Sequence, residues 1–249
     1  MQNRLPMTLI SEENDPLGQA LLAHLGGTGP AVLNIYSDTT DPDQLDAEYF
    51  FRPESAMPDL ELLALKHCRG KVLDVGAGGG CHSLLLQKKG MDVLAIDTSP
   101  GAVKACQLSG VQQAKQVNFF ELPATESYDT ILLLMNGIGI AQTLDQLPKM
   151  LLHARELLQS GGQILLDSSD LIYLFEEADG SFKIPVGGRY YGEVEYRMTY
   201  QDAIGMPFSW LFVDSDLLIQ QAATVGLDAT ILAHGENYHY LAQLTAMSK

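Results

Sequence analysis

The chain is poor in positive charge. Of its 249 residues only 15 are Lys or Arg, against 31 Asp or Glu, for a formal net charge of −16. Duplex binding rests on Lys and Arg neutralising phosphates, and these are few and unclustered here, so no nucleic-acid partner is expected. Cysteines are few as well. Cys68, Cys81 and Cys106 are odd in number and lack paired metal spacing, which fits a reducing compartment better than a disulfide framework. The longest apolar runs, such as Ile131 to Met135, are far too short to span a bilayer. The first residues show no basic stretch followed by an apolar one, so no export signal is read. A soluble, cytoplasmic chain with no membrane association is expected. Charged residues make up 18%, and neither Gly nor Pro is in excess, which excludes disorder as the main state.

An apolar fraction of 46% leaves ample material for a core, and the length suits one large domain or two small ones. The charge is uneven. Residues 1–60 carry ten acids and two bases, residues 161–249 twelve and four, and the hundred between them nine of each. A solvated acidic surface accounts for the flanks; attraction of a cationic ligand is the alternative.

From Lys71 onward short β-like runs alternate with helical stretches. Strands are read at 71–75, 91–97, 128–137 and 162–169, with a weak one near 116–120. Helices are read at 81–90, from the Ser99-Pro100 start to Gly110, and at 145–159. The alternation predicts an α/β fold, a parallel sheet with helices on both faces. The N-terminal part has a helical stretch at 18–25, an acidic segment and the aromatic cluster Tyr49, Phe50 and Phe51. Beyond Asp170, residues 189–200 alternate like a strand, with 209–214 as an antiparallel partner. A helix at 215–225 and strands at 228–233 and 238–245 follow. With no repeat, linker or second core, one domain over 1–249 is expected. It would comprise an N-terminal cap (1–60), a core (61–170), an inserted hairpin (171–213) and a closing helix with strands (214–249).

The most informative stretch is Val72-Leu73-Asp74-Val75-Gly76-Ala77-Gly78-Gly79-Gly80. A strand runs into glycines and then a helix, so backbone N–H groups can approach a ligand where a side chain would block it. Ligands of open parallel sheets sit at the carboxyl ends of the strands, where this turn lies. Asp97 ends the next strand, and an acid there can accept both ribose hydroxyls of an adenosine-type ligand. A dinucleotide turn wants G-x-G-x-x-G or A, and neither Cys81 nor Ser83 suits its third place. The pattern acid-x-G-x-G-x-G fits Asp74, Gly76, Gly78 and Gly80 without a gap. It places a carboxylate beside the turn, poor for a pyrophosphate and good for an ammonium group.

These blocks resemble those of the class I S-adenosylmethionine-dependent methyltransferases. VLDVGAGGG resembles their first motif, AIDTSP their second, YDTILLLMNGIG the fourth-strand motif and LLQSGGQILLDSSD the entry to strand five, in order over residues 70–170. The whole chain is similar to a bacterial subgroup of these enzymes. The resemblance implies a Rossmann-like, doubly wound, mostly parallel seven-stranded sheet with an antiparallel last strand, and S-adenosyl-L-methionine as cofactor. It implies that Gly76, Ala77, Gly78 and Gly80 line the methionine part, with Asp74 near the amino group. Asp97 would hold the ribose and Thr98 lie beside the adenine. The family often has an acid after strand three for the adenine amino group; here Asn118 stands in that place. Met135, Asn136 and Gly137 would face the transferred methyl, with Asn136 the leading contact.

A sulfonium methyl needs an aligned nucleophile and exclusion of water, and a general base only for a poor nucleophile such as a hydroxyl. Two catalytic candidates are carried, Asn136 and His82. His82, at the start of the helix after the glycine turn, either reaches the cofactor or has a structural role. His239 is read as packing, and His24, His67, His153 and His234 show no metal spacing, so no metal is expected. Tyr49, Phe50, Phe51 and Arg52 either close over the cofactor, Arg52 pairing its carboxylate, or pack the cap on the sheet edge. Trp210 and Phe212 pack the hairpin or form a lid or dimer contact. The expected function is methyl transfer to an unidentified acceptor, a small molecule or a protein. The alternative is a non-catalytic cofactor-binding module, and a nicotinamide oxidoreductase comes third. Nucleic-acid amino-methylation lacks its N-P-P-Y-type motif, since Asn136 is followed by Gly137-Ile138-Gly139. Oligomeric state is not legible.

Overall fold

The computed structural model describes residues 8–177, 179–184 and 188–247. In chain order the strands are β1 (Val32–Ser37), β2 (Asp43–Asp46), β3 (Lys71–Val75), β4 (Asp92–Asp97), β5 (Ala114–Gln116) and β6 (Tyr128–Leu133). They continue with β7 (Leu158–Ser169), β8 (Glu193–Tyr200), β9 (Ala203–Ile204), β10 (Phe208–Leu211), β11 (Leu227–His234) and β12 (His239–Ala246). The α-helices are α1 (Pro16–Gly26), α2 (Asp59–His67), α3 (Cys81–Lys88), α4 (Pro100–Ser109), α5 (Leu147–Glu156) and α6 (Ser215–Thr224).

The apolar runs become the strands of one sheet buried on both faces. Its order is β11-β12-β7-β6-β3-β4-β5. Strand β12 runs antiparallel to both neighbours, and the pairs from β7 to β5 are parallel. This is the seven-stranded Rossmann-like sheet with an antiparallel last strand. Successive side chains alternate between two layers. Val72, Leu132, Leu165 and Leu241 enter one; Leu73, Ile131, Leu133, Ile164 and Leu166 enter the other. A strand covered on both faces has no polar side, which is why Ile131 to Leu134 reads as an unbroken run. Each such side chain stabilises the fold by roughly 1.5–3 kcal/mol on burial. Strand order reverses at β3, which lies between β4 and β6, so a crevice opens at the carboxyl ends of these strands.

The second sheet is antiparallel, in the order β10-β8-β1-β2, with β9 paired to β8. Here the sequence reading needs correction. Strands β1 and β2 were not expected: β2 is short, acidic and largely exposed, and Leu33 is the one fully buried side chain of β1. The β8–β10 hairpin joins the N-terminal segment in this sheet, Asn34 to Ser37 pairing with Tyr196 to Thr199. Helix α2 also went unread, and the aromatic cluster forms a 3-10 helix, Ala47–Phe51. The third strand of the core ends early, at Gln116, because Asn118 caps a 3-10 turn, Phe119–Glu121. Helix α5 stops at Glu156 and β7 begins at Leu158. Gly161, with φ of 78°, lies within the strand instead of ending the helix. Among the described residues no helix is long and apolar enough to cross a membrane.

Candidate active site

The turn after β3 is built on left-handed glycines, Gly76, Gly78 and Gly80, with φ of 74°, 54° and 84°. Gly76 N and Ala77 N both donate to Ile96 O, at 2.9 and 3.1 Å, which ties the turn to the end of β4. Cys106 Sγ donates to Gly78 O at 3.2 Å from α4. The Asp97 carboxylate sits against the same turn, Oδ2 accepting from Gly78 N at 3.0 Å and Oδ1 from Ser99 N at 2.9 Å. Burial pushes its carboxyl up to about 6, against the downward pull of those two hydrogen bonds. Asp74 is buried within β3 and takes the Ser83 hydroxyl at 2.6 Å. Burial pushes its carboxyl up too, opposed by the charge of His82 and the bonds from Ser83.

The aromatic segment closes onto this turn. A Cβ on Gly79 would lie 2.5 Å from Phe50 O, and one on Gly78 would lie 2.9 Å from Phe50 Cδ1. Phe51 instead stacks on His24, ring centroids 5.0 Å apart. Arg52 is buried. Its Nη2 donates to Glu61 Oε2 and its Nη1 to Tyr49 O, and the guanidinium lies 4.0 Å from the Tyr49 ring centroid. His82 Nε2 is 2.7 Å from the same Glu61 oxygen, so the ring belongs to a buried ionic cluster. Arg52 Nε is buried with no hydrogen-bond partner among the described residues. Arg52 thus packs the N-terminal segment.

Along the carboxyl edge the sequence candidates follow in strand order. The Thr98 carbonyl accepts from Ile10 N and Gln116 Nε2, each at 3.0 Å. Buried Asn118 accepts from Phe120 N through Oδ1 at 3.1 Å. Past β6, Met135 and Asn136 are consecutive left-handed residues with φ of 63° and 55°. Non-glycine residues adopt this conformation at a cost, and such strain clusters at functional sites. Neighbours hold it in place. Trp210 Nε1 donates to Asn136 O at 3.0 Å, and Ser169 Oγ to Asn136 Oδ1 at 3.1 Å. Trp210 therefore packs inside the molecule, over Gly139, where a Cβ would come within 1.9 Å of its Nε1.

Beside Asn136 lies a cavity of about 280 Å³. Thr39 and Thr40 contribute from the β1–β2 loop, and Val194, Tyr196 and Phe212 from the second sheet and the residue after it. Ser169, Leu171, Tyr173 and Leu174 contribute from the end of β7 onward, and Glu236, Asn237 and His239 from the β11–β12 connection. No Lys or Arg is among these residues. His239 Nε2 lies 2.8 Å from Oδ2 of buried Asp167, whose Oδ1 accepts from Gly137 N at 3.1 Å. The sequence reading placed His239 in packing and did not consider Asp167. The two are 72 residues apart, and no local pattern announces the pair. Among the described residues no group of three or more His, Cys, Asp or Glu could hold a metal ion.

Residues 73–166 match the family model described as a methyltransferase domain. The chain is 42% identical to an S-adenosylmethionine-dependent methyltransferase from Bacteroides fragilis whose crystal structure holds S-adenosyl-L-homocysteine. That match covers 98% of this chain and 100% of the other, with a TM-score of 0.92. A more distant likeness, 15% identical with a TM-score of 0.58, is to the CcbJ methyltransferase from Streptomyces caelestis. It covers 77% of this chain and 91% of that one, and it shows the shared fold. Among curated proteins the chain is 33% identical over 86 residues to the ubiquinone biosynthesis O-methyltransferase of Bordetella avium. The matched stretch spans 32% of this chain and 36% of that relative, so only about a third of the relative's length is involved. The glycine turn, the acid closing the second core strand, the strand order and a full-length relative at 42% identity all agree: the chain belongs to the S-adenosylmethionine-dependent methyltransferases.

Proposed function

We propose that the chain transfers the methyl group of S-adenosylmethionine to a small molecule seated in the cavity beside Asn136. The carrying observation is the position of that cavity, against the strained Met135–Asn136 turn at the sheet's switch point. The residues present fit the cofactor. The glycine turn leaves backbone close to the crevice, Asp97 presents two carboxylate oxygens, and Arg52 Nε is a buried donor without a partner among the described residues.

When bound, the cofactor supplies a methyl group on a sulfonium, an electrophile that needs an aligned nucleophile and a dry site. Gly76, Ala77, Gly78 and Gly80 line its methionine part, with Asp74 balancing the ammonium charge and Arg52 serving the carboxylate. Asp97 accepts the ribose hydroxyls, and Thr98 and Asn118 border the adenine. Met135 and Asn136 face the transferred methyl. His82 acts only through Glu61 and Arg52, as part of the cluster that holds the aromatic segment over the turn. A half-open cavity of about 280 Å³, lined from both sheets, has the size for a small molecule rather than a protein segment. It also gives an enzyme a use that a cofactor-binding module lacks. The name of the curated relatives points to oxygen as the methylated atom.

Calorimetric titration with S-adenosylmethionine, S-adenosylhomocysteine and NAD, on the wild type and on Asp97→Ala, tests this reading. Micromolar binding of both adenosyl ligands, lost in the variant, supports it. Binding of NAD alone, or of no ligand to folded protein, overturns it.

A further inference from the structure

Resting on that reading of the cavity, we infer that His239, oriented by Asp167, is the general base for a hydroxyl acceptor. We infer further that this acceptor is a planar small molecule without negative charge. In the β7–β12 register His239 pairs with Ser169 and Leu241 with Asp167. His239 and Asp167 are therefore diagonal neighbours on one face of the sheet. Both Asp167 oxygens are used. Oδ1 holds the backbone of Gly137, directly after Asn136, and Oδ2 holds the imidazole. One buried carboxylate so fixes the methyl-side turn and the ring together. With Nε2–H donated to Asp167, the neutral ring carries its lone pair on Nδ1, for which no hydrogen bond is formed among the described residues. The ring borders the cavity and its side chain is 27% exposed.

The acceptor oxygen attacks the methyl carbon, forming the C–O bond as the C–S bond breaks, and the electron pair goes to sulfur, leaving a neutral thioether. The hydroxyl proton passes to His239 Nδ1, and Asp167 stabilises the resulting imidazolium until the proton leaves to solvent. The acceptor class follows from the lining. With no Lys or Arg there and Glu236 present, a carboxylate or phosphate would meet no cationic partner and one like charge. Tyr173, Tyr196 and Phe212 offer flat apolar walls for a ring. The titratable groups facing His239 are Asp167 from β7, Glu236 from its own connection, and Tyr173 and Tyr196 across the cavity. Asp170 is committed to Tyr191 and to Ile172 N.

The test uses the whole chain with S-adenosylmethionine and three probes: catechol, dopamine and 3,4-dihydroxybenzoate. Formation of S-adenosylhomocysteine is followed, and the methylated atom is located by mass spectrometry. Catechol and dopamine are methylated on oxygen, and the carboxylate probe at least about tenfold more slowly. His239→Gln and Asp167→Asn, checked for intact melting, lower kcat by roughly 10²-fold. Both keep the S-adenosylhomocysteine Kd within about twofold. His239→Gln loses the acid limb of the kcat profile, and added imidazole restores turnover to His239→Ala. Methylation on nitrogen, preference for the carboxylate probe, or no turnover of either uncarboxylated probe by protein that binds S-adenosylhomocysteine overturns the inference. So does loss in both variants with an unchanged pH profile and no imidazole rescue. Failure of the wild type to bind S-adenosylhomocysteine would instead sink the cofactor reading beneath it.

Discussion

Gly101, in the first turn of α4, donates its backbone N–H to the Asp15 carboxylate at 2.9 Å, across 86 residues of sequence. The same carboxylate accepts from Gly18 N at 2.8 Å and from Ser99 Oγ at 2.7 Å. One buried acid thus caps α1 and α4 together, where both helix N-termini favour negative charge. The helices can meet there because both residues are glycine: a Cβ on Gly101 would lie 2.4 Å from Gly18 Cα. Ser99 N is in turn bonded to Asp97, so this cap reaches the cofactor turn.

Replacing Asp15 by Ala therefore removes two caps and leaves buried N–H groups unpaired. A loss of about 2–4 kcal/mol in urea unfolding is expected, larger than for a single exposed cap. Gly101→Ala overpacks the same crossing and costs at least roughly 1–3 kcal/mol. A change below about 0.5 kcal/mol in either would show that the crossing relaxes freely.

In the proposed cofactor site, with Asp97 accepting the ribose hydroxyls, binding depends on pH. The Asp97 carboxyl is raised to about 6, so it is ionised at pH 7.5 and mostly neutral at pH 5. Protonation removes an acceptor for the ribose hydroxyls, and the Kd of S-adenosylhomocysteine should rise about tenfold at pH 5. Calorimetry at both pH values checks this, with Asp97→Asn as the control that flattens the dependence.

Glu61 shifts the other way. Burial raises its carboxyl, but the hydrogen bond and charge of His82, then those of Arg52, outweigh it and the net shift is downward. A depressed folded-state value means stability that is present above the ordinary carboxylate range and lost as pH falls through the folded value. Glu61→Gln leaves Arg52 buried and unpaired, at a cost of about 3–5 kcal/mol at pH 7. In paired urea melts the gap between wild type and variant should narrow at pH 3.5. A gap independent of pH would count against the ionic cluster.

Gly139 makes room for Trp210, whose indole holds the Asn136 carbonyl. Gly139→Ala displaces the ring and frees the strained turn. Turnover should fall more than tenfold while S-adenosylhomocysteine binding changes by less than about threefold. Quenched or shifted Trp210 fluorescence would report the displacement directly, since this is the chain's one tryptophan.

Much of the glycine turn and the strand ends around it was legible locally. The run from Lys71 to Val75 is apolar because both sheet faces are covered, and the glycines after it satisfy a backbone need of their own residues. Asp97 and Asn136 stand at strand ends, positions readable from where apolar runs stop. Helix α4 was legible from its start and stop residues, Gly110 adopting the left-handed conformation that closes it, and α6 from its stop at Gly226. Helix α1 was read as 18–25 without its Asp15-Pro16 start. The contact of His239 with Asp167 was not legible, because a lone histidine in a strand carries no signal of its partner.

The sequence by itself determined most strands and helices from Lys71 onward, though not α2 or the start of β7, and which strand ends carry acids and glycines. Those properties depend on neighbours a few residues away and on a periodicity of two or 3.6. Only the tertiary structure decided that β1 pairs with β8, that Arg52 meets Glu61 and His82, and that His239 leans on Asp167. Alternation along a strand says which face a side chain takes, but it cannot say which strand lies beside it or in what register. That choice belongs to the packing of the whole chain, and the cavity beside Asn136 is built from it.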